Sequence, residues 1–121
     1  MKDELGDRMK SYYENRSKTF LARRTPVIIR LDGKAFHTFT RGFNKPFDEV
    51  MVRTMWDTTK FMCENIQGCK IAYVQSDEIS LLLTDYEKFS TDSWFDYTLQ
   101  KMASVSASLA TAGFNLAYKK N

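Results

Sequence analysis

Lys70-Ile71-Ala72-Tyr73-Val74-Gln75-Ser76-Asp77-Glu78-Ile79-Ser80-Leu81-Leu82-Leu83 is the stretch that decides the fold. Two apolar runs, 70–74 and 79–83, read as strands, and only Gln75-Ser76-Asp77-Glu78 lies between them. So short a link forces antiparallel pairing, which predicts an acidic hairpin over residues 70–84. Upstream, Pro26-Val27-Ile28-Ile29-Arg30-Leu31 reads as a buried strand. Its proline stands at the first position, where no ladder donor is lost. Asp32-Gly33 ends that strand sharply.

Between these strands, residues 34–46 read as irregular, with Gly42 and Asn44-Lys45-Pro46 as turn chemistry. Residues 47–66 place Val50, Met51, Met55, Trp56, Thr59, Met62 and Cys63 at helical spacing, closed by Gly68. The Met and aromatic positions of this helix are read as core. Residues 94–118 form a long helical pattern whose small residues (Ala103, Ser106, Ala107, Ala110, Gly113) permit close packing on a sheet. At the N-terminus, Leu5, Met9, Tyr12 and Tyr13 among charges suit an amphipathic helix over residues 3–16.

The order is a helix followed by βαββα, an α+β arrangement one strand short of the ferredoxin-like split βαβ. The expected fold is therefore ferredoxin-like or polymerase-palm-like, a mixed antiparallel sheet with helices on one face and its last, edge strand missing. The right-handed crossover makes the first two strands parallel, and the first lies beside the third. Asp32 and Asp77 then meet at one edge of the sheet.

No repeat or linker divides the 121 residues, which read as a single partial domain with a modest core. Hydrophobic residues at 43% and charged residues at 27% argue against disorder. A net charge of +3 permits a polyanionic partner without demanding one. Cys63 and Cys69 have no metal or redox spacing, and free thiols in a cytoplasmic protein are expected. The charged N-terminus resembles no signal peptide, and the apolar runs are too short for a bilayer, so no membrane partner is expected.

Two carboxylates on adjoining strand ends repel unless a cation sits between them. Mg²⁺ takes one or two carboxylates, backbone oxygen or water, and substrate phosphates. Asp32 and Asp77 are thus candidate ligands in a two-ion Mg²⁺ site for phosphoryl transfer, with the Gly33 carbonyl as a further donor. Gly33 carries no Cβ to obstruct a ligand, and the amides of residues 33–37 can face phosphate oxygens as a small nest. Taken singly, an Asp-Gly after a strand is a turn and Ser-Asp-Glu is a solvated hairpin tip. Their convergence makes the pair a candidate site.

Arg30-Leu31-Asp32-Gly33-Lys34-Ala35-Phe36-His37-Thr38-Phe39, Asn44-Lys45-Pro46-Phe47-Asp48 and Ala72-Tyr73-Val74-Gln75-Ser76-Asp77-Glu78-Ile79-Ser80 together resemble the tRNA-His guanylyltransferase family. The family includes 3′–5′ polymerases, and the resemblance runs from about Leu5 to Phe114. It implies Asp32 and Asp77 as metal-binding and catalytic, with the Gly33 carbonyl as a ligand. Glu78 is implied as the catalytic acid that orients metal-bound water. Residues 32–37 (Asp32, Gly33, Lys34, Ala35, Phe36, His37) match the segment around the nucleotide triphosphate. Ser76 lies with them, and Lys45 and Asp48 match positions near the nucleotide.

The implied reaction adds a nucleotide to the 5′ end of tRNA, using GTP and ATP, as tRNA-His guanylylation or 5′-end repair. The family's habit of assembling into tetramers, with an open sheet edge here, implies a homo-oligomer, dimer or tetramer. Members continue well beyond this length into a second half that serves tRNA. A catalytically silent NTP- or RNA-binding module is the alternative from another class. A palm-type nucleotide cyclase is a weaker one, because its Gly-Gly-Asp/Glu-Glu/Asp-Phe hairpin is absent. His37, the only histidine, is either a nucleotide neighbour or a packed loop residue. Arg23-Arg24 read as a solvated pair by default, with RNA phosphate as the functional reading, and Lys119-Lys120 as a soluble tail. Tyr12, Tyr13 and Trp94 are candidates for stacking on bases.

Overall fold

Alternation along the strands decides which way the sheet faces. A computed structural model describes residues 4–45 and 47–121. Strands β1 (Val27–Asp32), β2 (Cys69–Gln75) and β3 (Glu78–Leu83) form one sheet in the order β1-β3-β2. Both neighbouring pairs are antiparallel. β1 and β2 run the same way, as the crossover rule requires, but β3 separates them. The sheet is therefore antiparallel throughout rather than mixed.

Val27, Ile79, Leu81 and Leu83 are buried on one face. The helices α3 (Glu49–Asn65) and α4 (Leu99–Lys120) cover that face. Met55, Met62 and Met102 supply much of the helical side of the core, and Tyr97 closes it. Gly113 of α4 lies against the Phe61 ring of α3. The small residues of α4 thus serve helix–helix approach at least as much as contact with the sheet.

The other face is open. Register places Ile28, Leu82 and Ile71 in one row, Arg30, Ser80 and Tyr73 in the next, and Asp32, Glu78 and Gln75 in the last. Ile28, Ile71 and Tyr73 are each more than half exposed.

Several sequence expectations change. The N-terminal helix is α1 (Glu4–Tyr12), followed by a 3₁₀ turn at Glu14–Arg16, and it buries nothing. Residue 3, where that helix was expected to begin, lies outside the described residues. A one-turn helix α2 (Phe36–Phe39) interrupts the stretch expected to be irregular, while Pro46 of the predicted turn is outside the described residues. Phe47 and Trp56, read as core, are exposed, and within α3 only Thr54, Met55, Thr58, Thr59 and Met62 are buried.

Gly68 does not cap α3, whose C-cap is Ile66 in extended backbone. Gly68 instead has φ +85 and approaches Thr84 so closely that a Cβ would meet its carbonyl oxygen at 2.6 Å. The predicted long helix begins at Leu99, not at residue 94. Trp94–Tyr97 is a separate turn in which Phe95, Asp96 and Tyr97 all have φ near +50.

That turn is held from outside. The Leu21 amide donates to the Tyr97 carbonyl at 2.9 Å and the Leu99 amide to Thr19 at 2.8 Å. The buried Tyr97 hydroxyl donates to the Thr25 carbonyl at 3.3 Å. The arm leading into β1 is fastened further by Asp85, whose side chain is fully buried. Asp85 accepts from Arg23 Nε at 2.7 Å and from the Arg24 amide at 2.9 Å. Arg24 also donates to the Phe89 carbonyl and lies over the Phe89 ring. Arg23-Arg24 is therefore a fastened pair, and Trp94 is buried rather than available to stack on a base.

Candidate functional site

The acids of the sequence converge because two strands end side by side. Asp32, the last residue of β1, stands opposite Glu78, the first of β3. The Gly33 amide donates to the Asp77 carbonyl at 3.1 Å, one further rung beyond the ladder. A two-residue turn, Ser76-Asp77, joins β2 to β3, with Ser76 at φ +54. Asp32, Asp77 and Glu78 thus share one end of the sheet, as the sequence predicts. Glu78 also meets Arg30 at 2.7 Å across the open face. Sequence reasoning gave Arg30 no role, although its place two residues before Asp32 puts it on the same face.

A cleft of about 1390 Å³ opens at this end. Asp32, Gly33, Ala35, Phe36, His37, Lys45, Asp48, Ser76, Asp77 and Glu78 line it, and Lys34 does not. His37 and Lys45 are exposed on its rim. Asp48 has a further duty as the N-cap of α3. One carboxylate oxygen accepts from the Met51 amide and the other from the Asn44 amide, both at 3.1 Å. Such a cap is worth about 1 kcal/mol.

The rest of the cleft lining is largely apolar, with Phe43, Phe47, Met51, Val52, Met55, Trp56 and Val74. Sequence reading placed Met51, Met55 and Trp56 in the core from helical spacing alone. Their other use, as apolar lining of the cleft that also holds the acids, needed the position of the loop.

The loop after Asp32 supplies backbone donors. Ala35 has φ +55, and the amides of Lys34, Ala35, Phe36 and His37 find no protein acceptor among the described residues. The Gly33 amide, expected to join this nest, is taken by Asp77. Among the described residues no three His, Cys, Asp or Glu side chains form a ready-made cation cage. Two carboxylates and a backbone carbonyl instead suit a hard cation that brings water and phosphate ligands of its own.

The two thiols lie away from this end. Cys63 and Cys69 are free, with their sulfurs 3.6 Å apart. Burial, helped by the neighbouring Cys63, pushes the Cys69 thiol up to about 11. No helix is long and apolar enough to cross a membrane among the described residues.

Residues 6–121 match the family described as tRNA-His guanylyltransferase. A bacterial tRNA-His guanylyltransferase (Thg1)-like protein solved with GTP superposes with a TM-score of 0.89 at 52% identity. That match covers 98% of this chain and 56% of that one. A structure of a bacterial Thg1-like protein with ATP gives the same score and identity, covering 97% of this chain and 51% of that one. A probable tRNA-His guanylyltransferase of Mus musculus is 34% identical over 84 residues, 68% of this chain and 26% of its own length. The present chain thus spans about half the length of the solved relatives. By the match across almost its whole length, the chain belongs to the tRNA-His guanylyltransferase family.

Proposed function

We propose that this chain is the nucleotide- and metal-binding part of a nucleotidyltransferase that adds GMP or another nucleotide to the 5′ end of tRNA. The observation that carries this reading is the meeting of Asp32, Asp77 and Glu78 at one sheet end beside a cleft. Family membership and the GTP and ATP complexes of the solved relatives support the choice of ligand. The order of elements supports a palm-like reading of the domain, residues 1–121, with a metal-binding loop at 32–37 and an acidic hairpin at 70–84.

In this reading the 5′-monophosphate of the tRNA is first joined to AMP from ATP, releasing pyrophosphate, unless it already carries a triphosphate. The 3′-hydroxyl of the incoming NTP then attacks that 5′-phosphate, and AMP or pyrophosphate leaves. Both steps are in-line phosphoryl transfers whose catalysis is mostly positioning and charge stabilisation.

Asp32, Asp77 and the Gly33 carbonyl would hold two Mg²⁺ ions, which neutralise the charge developing on the phosphates. The loop of Gly33, Lys34, Ala35, Phe36 and His37 takes the triphosphate, with Ser76 and Lys45 beside it. Asp48 fixes the start of α3 at the nucleotide. Glu78 completes the acidic end. A cytoplasmic homo-oligomer, dimer or tetramer, accompanies this reading. A second reading, nucleotide binding without transfer, makes the same use of the cleft and its acids.

The deciding experiment incubates the chain with Mg²⁺, ATP, labelled GTP and a tRNA lacking its 5′ nucleotide, beside Asp77→Ala. Label joined to the 5′ end by the parent alone is the expected result. Mg²⁺-dependent GTP binding without incorporation would select the second reading. Absence of that binding would sink the metal-site reading itself.

A further inference from the structure

The rings of the loop beside the acids do not stop at the cleft wall. Phe36 lies 5.3 Å from Phe39 and 5.4 Å, edge to face, from Phe114 of α4. Phe39 is 5.9 Å from Phe114, 5.6 Å from Tyr118 and 5.6 Å from Phe43. Phe114 and Tyr118, one helical turn apart, stack at 5.9 Å with their planes 8° apart. Five rings thus join the loop to the last turns of α4. The chain of contacts ends on the residue after Asp32, because the Phe36 ring lies directly over the position a Gly33 side chain would take.

Little else ties this loop to the body. From Lys34 to Phe43 the backbone bonds are local, running from Thr38 and Phe39 to Ala35, from Thr40 to Phe36, from Arg41 to Thr38 and from Phe43 to Thr40. None of the residues of α2 is buried. Ala35 sits in the left-handed region, at a cost of about 1 kcal/mol that surrounding contacts must offset. Aromatic pairs of this kind contribute about 0.5–1.5 kcal/mol each.

We propose that Phe114 and Tyr118 are positioning residues for the site. They touch no nucleotide; they hold the loop through Phe36 and Phe39, so that the backbone after Asp32 stands ready for a triphosphate. The consequence for binding rests on the nucleotide reading above, whereas the mechanical link does not.

Two measurements on the full chain separate these. Hydrogen exchange without ligand should show Phe114→Ala speeding exchange at the Thr38, Phe39, Thr40 and Phe43 amides by about tenfold, with β3 amides unchanged. Titration with GTP and Mg²⁺ should show Phe114→Ala weakening binding about tenfold or more, because small misplacements at such sites are costly. Phe114→Tyr keeps the ring and should restore binding, and Leu116→Ala, exposed on the same helix, should leave it unchanged.

Unchanged loop exchange in Phe114→Ala overturns the proposal. So does a uniform loss of protection across the chain, which marks a merely structural role, and so does undiminished GTP affinity. Should Phe114→Ala not fold, Tyr118→Ala at the partly exposed end of α4 carries the same two readouts. A parent that binds no Mg²⁺–GTP would remove the nucleotide reading, and loop exchange alone would then decide the link.

Discussion

A Cβ on Gly33 would lie 2.5–2.7 Å from three atoms of the Phe36 ring. Gly33 does not have a positive φ, so the backbone alone does not require glycine there. Ring accommodation is therefore the visible need, and ligand approach comes second to it. Gly33→Ala should displace the ring and weaken Mg²⁺–GTP binding, as should Phe36→Ala. If the ring is the reason, the double variant is no worse than Phe36→Ala alone, a strong departure from additivity. Effects that add would return Gly33 to the role of ligand neighbour.

Residues at strand ends were legible in the sequence: Asp32 and Asp77 fall where hydrophobic runs stop, and two paired strands bring such ends together. Asp48 was half legible. Its proximity to the cleft was expected, but its grip on two backbone amides is a local capping event that motif resemblance masked.

At the scale of elements, the turn at Trp94–Tyr97 shows why one boundary was misread. A turn of about three residues brings Trp94 and Tyr97 to one side whichever its hand, so the apolar spacing continued into α4 without revealing a left-handed start. Asp85, which secures the neighbouring arm, was silent for the opposite reason, since nothing in a lone aspartate marks it as buried.

Burial alone would raise the Asp85 carboxyl. The bond from Arg23, the Arg24 amide and the Arg23 charge outweigh it and hold the group below its ordinary value. Its contribution is therefore complete above the pH at which an unfolded-chain aspartate protonates, about 3.9, and is lost as pH falls through the lower folded value. We expect Asp85→Asn to lower the melting temperature near neutrality, since it takes the buried carboxylate from Arg23 and leaves that half-exposed guanidinium to Asp96 and the Thr91 carbonyl. Melting curves of parent and variant should converge in strong acid. A separation that persists there would mean the loss is one of shape, not of charge.

For the molecule as a whole, one face of the sheet is a core and the other is open, a division expected from the order of elements, which puts the helices on one face. The run Val27-Ile28-Ile29 reads as buried throughout, so the sequence did not reveal that Ile28 would stay bare on the open face. Ile28, Leu82 and Ile71 form an apolar row across all three strands, and β1 has one partner only among the described residues. Apolar rows beside a free strand edge favour association. Sedimentation should show the parent as a dimer or tetramer and Ile28→Lys with Ile71→Lys shifted towards monomer. A parent that sediments as a monomer at high concentration would remove the homo-oligomer from the proposal.

The pairing of β1 with β3 also sets a clock. The β2–β3 hairpin closes across a two-residue turn and can zip within microseconds. Arg30 and Glu78, which meet beside the acids, are 48 residues apart in the chain. Closing so long a loop comes late and only with the rest of the structure in place. Refolding chains should therefore recover hairpin spectroscopic signals before any ligand response, and no partly folded species should bear a competent pair of aspartates.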